Sequence, residues 1–190
     1  VEWTLLAIER YYDPTVSRAQ AYRLGVETMR AAMGPQRHLL ECGPGPVTVG
    51  LIDSMRIEQD LPRPTWEHYV KHSSSTAPAV AKCYYFHRRT WMNDADHLCL
   101  ALLTMPQAQA VASLIALSGG TVISGDRLYD LDASRLNILT RVLPTYGEAA
   151  RPLDLFEKDH PELFALYIQK DFGSWWLLGY FNWDEEAAVT

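Results

Sequence analysis

Arg56 and Asp60 stand four residues apart in "DSMRIEQDLPRPTW", residues 53–66, where an apolar run ends and prolines begin. A carboxylic acid at such a point, walled by aromatic side chains, can serve as a general acid, because desolvation favours its neutral form. A guanidinium beside it favours the carboxylate instead, unless its main task is to hold a substrate. The same two residues also suit a structural ion pair that pins the loop, and their spacing leaves both readings open.

Other polar groups gather at comparable points. Cys42-Gly43 closes "HLLEC", Asn93-Asp94-Ala95-Asp96 follows "TWM", and Ser124-Gly125-Asp126 follows "TVI". Asp94, Asp96 and Asp126 also suit helix caps or acceptors for loop amides. Cys42 reads as a small buried filler more readily than as a nucleophile, since no histidine neighbours it in sequence. The histidines show no HExxH spacing and the three cysteines no CxxC, so no metal site is expected. Trp66 and Trp91 are candidates to stack on a sugar ring, whereas "WWLLGYFNW" reads as sheet core.

The elements that hold these residues follow from hydrophobic period. Ala19, Tyr22, Val26, Met29 and Met33 form one helical stripe over residues 15–33, ended by Gly34-Pro35. Short strands are expected at 38–42, 51–57, 90–94 and 121–124. Helical patterns fall at 66–71, 77–87, 104–118 and 132–143, the third opened by a Thr104/Gln107 capping box. Strands alternating with helices predict an α/β fold with a parallel sheet, whose working residues sit at the C-terminal ends of the strands. One connection is irregular: the Gly/Pro loop between 42 and 51 is too short for a full crossover helix. After Pro152 two aromatic runs separated by "KDFGS" predict an antiparallel hairpin. Four strands are half of an eight-stranded barrel; an open four-stranded sheet fits the local pattern equally.

Composition narrows the function classes. The 190 residues carry a net charge of −6 and no basic stripe, which argues against nucleic acid as a partner. No apolar run approaches the roughly 20 residues of a membrane span. Sparse, odd-numbered cysteines fit a reducing compartment, so a cytoplasmic location is expected. Val1 follows no signal-peptide pattern and reads as an interior residue.

"GLIDSMRIEQDLPRPTW" followed by "RTWMNDADHL" resembles the family 36 α-galactosidases (melibiases) among the glycoside hydrolases. Their barrels carry a pattern close to G-x-V-D-x-M-R-I-x-x-D-V-x-x-x-W and then W-L-N-D-P-D; Ala95 stands here in place of the usual Pro. "AYRLGVETMRAAMGPQRHLLECG" and "LSGGTVISGDRLYDL" are similar to the preceding helix and strand and to the last barrel strand, so the likeness covers about residues 1–145.

The resemblance implies the C-terminal half of a (β/α)8 TIM barrel over 1–150, then the start of a small antiparallel β domain over 151–190. It implies hydrolysis of terminal α-galactosides with retention, Asp60 being the acid/base. Arg56, Cys42 and Gly43 fall at matching positions of the sugar pocket. Glu2 occupies the place of the family's nucleophilic Asp. Because Glu is one methylene longer, and a misplacement of about 1 Å can cost about 10²-fold in rate, impaired turnover is expected. Galactosyl transfer, or a sugar-binding relic, are the alternatives. No cofactor is implied. The remainder of the barrel, or a second copy, is expected to cover the open edges of the sheet.

Overall fold

The computed structural model describes residues 11–43, 45–60 and 64–184. Helix α1 (Arg18–Met33) opens on a reciprocal cap: the Gln20 amide donates to the Ser17 hydroxyl, and the Ser17 amide donates to the Gln20 side chain. Gly34, at φ 80°, ends it. Strand β1 (Leu40–Glu41) pairs in parallel with β2 (Ser54–Arg56), and a 3-10 turn at Pro46–Thr48 stands where a crossover helix would normally lie. Helices α2 (Trp66–Val70) and α3 (Thr76–Cys83) lead through a second 3-10 turn to β3 (Met92–Leu98). Helix α4 (Met105–Leu117), strand β4 (Thr121–Ser124) and helix α5 (Ala133–Val142) complete the parallel unit.

The molecule is therefore mixed α/β, with four parallel strands in the order β1-β2-β3-β4. A second sheet is antiparallel and contains β5 (Arg151–Pro152), β6 (Leu163–Lys170) and β7 (Gly173–Tyr180). Among the described residues no helix is long and apolar enough to cross a membrane.

Alternation along β2 sorts its side chains between two environments. Met55 joins the apolar cluster of Tyr22, Val26, Ile52 and Trp91 beneath α1. Its register partner Asn93 sends its side-chain amide to the Cys83 carbonyl at the end of α3. Arg56 and its partner Asp94 consequently project to the opposite face. The helices thus cover the Met55 face and leave the Arg56 face to the polar groups.

The third strand differs from its expected limits. "NDAD" lies inside β3 rather than beyond its end, because pairing with β4 continues through His97 and Leu98 after a register shift. The shift is a bulge, and Asp96 within it has φ 55°. The run "WWLLGYFNW", expected as sheet core, is mostly exposed: of its residues only Phe181 is buried in the main cluster, with Trp183 packed partly against it. Phe164, Leu166 and Phe181 share the main apolar cluster with Leu114, Ile115 and Leu139. Trp175, Trp176, Leu177, Leu178 and Tyr180 of β7 are all exposed, those on the Trp176 and Leu178 face the most.

Glycine sets the fit between β3 and β4. A Cβ on Gly120 would lie 1.8 Å from the Asn93 carbonyl oxygen, and backbone cannot yield as a side-chain tip can. Replacing Gly120→Ala is expected to lose about 2–3 kcal/mol, read as a lower midpoint in urea denaturation. A midpoint equal to wild type would refute this close approach.

Candidate functional site

The site is assembled at the C-terminal end of β2. Arg56 is nearly withdrawn from solvent, with 11% of its side chain exposed. One guanidinium nitrogen contacts Asp96 on β3 at 2.5 Å, and another contacts Asp60 on the following loop at 2.5 Å. These two carboxylates differ in setting: Asp96 is 5% exposed and Asp60 is 56% exposed. The other oxygen of Asp96 lies 3.1 Å from His97 Nδ1, and the Asp96 amide donates to Asp94 at 3.1 Å. Burial disfavours the charge on Arg56, but Asp96, Cys42 and Asp60 outweigh it and hold the guanidinium more firmly protonated. Burial pushes Asp94 above the usual carboxylate range, with Asp96 adding to the effect and the Asp96 amide and Arg56 opposing it.

Of the residues singled out in the sequence, Arg56 and Asp60 come together, and Asp96 proves to be the partner that anchors them; Cys42, half-buried, follows β1. Gly43 serves the neighbouring strand. A Cβ there would meet the Glu41 side chain at 2.5 Å, and that carboxylate is buried under the hydroxyls of Tyr22 and Thr48, both of which donate to it. Trp66 is 7% exposed and lies in the apolar core, its ring 6.1 Å from that of Trp183. Asp126 accepts the amides of Leu100 and Ala101, which is the loop role its position suggested. Glu2, placed at the nucleophile's position, lies outside the described residues, as do positions 61–63 next to Asp60.

Three acidic groups carry roles that were not read from spacing. Asp96 meets Arg56 across strands, and the linear hint is that "NDAD" belongs to the next strand of a parallel pair. Asp53, at the opposite end of β2, accepts from Arg30 of α1 at 2.6 Å and from the Leu39 amide at 2.7 Å. Burial works against that carboxylate, yet Arg30 and the amide together bring it below its ordinary pKa. Glu58, between Arg56 and Asp60, has both carboxylate oxygens shut off from water.

Two grooves, of about 560 and 590 Å³, run beside α4, α5 and β7, and neither is lined by Arg56, Asp60 or Asp96. Among the described residues no group of three or more His, Cys, Asp or Glu side chains is arranged to hold a metal ion. No known family model matches the chain.

The two halves of the Arg56 bridge should carry different weight. Asp96→Ala leaves a guanidinium short of its buried counter-charge and is expected to destabilise by about 3 kcal/mol. Asp60→Ala removes a solvent-screened partner and is expected to cost less than about 1 kcal/mol. Urea denaturation of both variants checks the ranking; equal losses would contradict it.

Proposed function

We propose that the chain is the C-terminal half of a (β/α)8 barrel that hydrolyses terminal α-galactosides with retention of configuration. The sequential parallel order β1-β2-β3-β4 supports the barrel reading, because an open doubly wound sheet reverses its strand order at a switch point. The helix-covered Met55 and Asn93 face supports it too, with charged groups turned toward the other side. On this reading the edges at β1 and β4 continue into the rest of the barrel or onto a second copy.

One observation carries the chemistry: Arg56, clamped by buried Asp96, holds Asp60 by one oxygen at the C-terminal edge of the sheet while most of the carboxyl stays open to an incoming molecule. A proton donor must be oriented yet reachable, and this arrangement supports both. In the proposed reaction Asp60 gives its proton to the glycosidic oxygen as the bond to the anomeric carbon breaks. A carboxylate on the other side of the ring, assigned to Glu2, forms a covalent bond to that carbon. Asp60 then takes a proton from water, whose oxygen displaces the enzyme carboxylate. Retention requires the two carboxyls about 5–5.5 Å apart. No metal or organic cofactor enters any of these steps.

The exposure of Asp60 also favours a second reading, in which the Arg56 pair is a structural remnant that binds sugar without cleaving it. Turnover separates the two. An aryl α-galactoside assay is expected to show hydrolysis by wild type and a fall of at least about 10²-fold in Asp60→Asn, with unchanged circular dichroism. Unchanged turnover in the variant removes Asp60 from the mechanism. Galactose binding by wild type without any turnover supports the remnant.

A further inference from the structure

Glu58 lies two residues beyond the end of β2, between the two residues that the site depends on. Neither of its carboxylate oxygens is reached by solvent or accepts a hydrogen bond among the described residues. The Thr76 hydroxyl, equally buried at the start of α3, is close enough to favour the charged form, but no full hydrogen bond joins the two side chains. Among the described residues, the charged and titratable groups that act on Glu58 include Arg56 beside it, Asp94 and Asp96 from β3, and Tyr69 from α2. Tyr69 has its hydroxyl occupied: it donates to the His97 carbonyl and accepts from the Cys99 amide. Arg56 is already engaged by Asp96 and Asp60. An ionised carboxylate in this position would be buried, without hydrogen bonds and beside two other acids, which is strongly unfavourable.

We propose that Glu58 is a positioning residue held as the neutral acid, so that Arg56 is left to its bridge with Asp96 and Asp60. When Glu58 ionises it becomes a competing partner for the same guanidinium and draws Arg56 away from Asp60. Burial is the largest influence on this carboxyl and lifts its pKa well above the usual range; Asp96 and Asp94 add to the rise, while Thr76 and Arg56 oppose it. The effect on turnover rests on the glycosidase reading above, whereas the protonation state of Glu58 does not.

A carboxyl whose pKa is raised in the folded state stabilises fully below its unfolded value, ordinarily 4.5, and that contribution is lost as pH rises toward the folded value. Glu58→Gln keeps the shape and removes the titration. Its Tm is expected to match wild type near pH 4 and to exceed it by about 3 °C or more at pH 7. In the full chain, the carboxyl carbon of Glu58, assigned by its absence in the Gln variant, is expected to stay at its protonated NMR position through pH 7. In the aryl α-galactoside assay, the alkaline fall in kcat/KM is expected to move to higher pH in Glu58→Gln. Titration of the carboxyl in the ordinary Glu range, or an equal drop in Tm at every pH, overturns the proposal. If neither protein hydrolyses the substrate, the glycosidase reading fails, and the carboxyl titration decides Glu58 independently.

Discussion

A guanidinium withdrawn from water must keep its counter-charge, and that requirement organises the rim of the parallel sheet. Arg56 leaves the strand on the face away from the helices. Asp96 meets it there from β3. Because the pair crosses two strands, it ties the end of β2 to β3 just beyond their last paired residues, Arg56 and Asp94. Asp60 then attaches a loop to this anchored charge through a single oxygen. Rigid on one side and open on the other, the bridge gives the exposed acid a defined orientation without enclosing it.

The two ends of β2 divide the work. At the N-terminal end Arg30 reaches from α1 to Asp53, which also takes the Leu39 amide, so one carboxylate ties a helix and two strands. Glu41 does the same for α1 and the short 3-10 turn through Tyr22 and Thr48. These groups lie against their own neighbours and read as stabilising. At the C-terminal end Asp96 and Asp60 pair with Arg56, Asp94 accepts the Asp96 amide, and Glu58 is buried without a hydrogen bond among the described residues. Burial there raises the carboxyl pKa of Glu58 and of Asp94 above the ordinary range.

The hairpin contributes to the same core from the other side. Phe164, Leu166 and Phe181 pack with the α4 and α5 side chains, and the Ala150 amide donates to the Leu117 carbonyl at the junction. The antiparallel unit therefore braces α4, the helix that links β3 and β4. Strand β7 has its other apolar face, with Trp176 and Leu178, turned outward.

Much of the scaffold was legible in the residues. The apolar stripe of α1, the alternation of strands with helices, and the hairpin at "KDFGS" all rest on local period and turn chemistry, which act over a few neighbouring residues. Arg56 and Asp60 were visible for the same reason, being four apart on one strand end. What tertiary structure decided was everything that depends on which strands lie side by side. The bulge that keeps "NDAD" inside β3 and turns Asp96 toward Arg56 has no local signature, nor does the burial of Trp66 against Trp183. Glu58 looks in sequence like any loop acid; only the packing of α2, α3 and β3 around it excludes water and gives its charge a cost. Spacing along a chain specifies which groups can act, and burial and cross-strand register specify which of them are charged and what they touch.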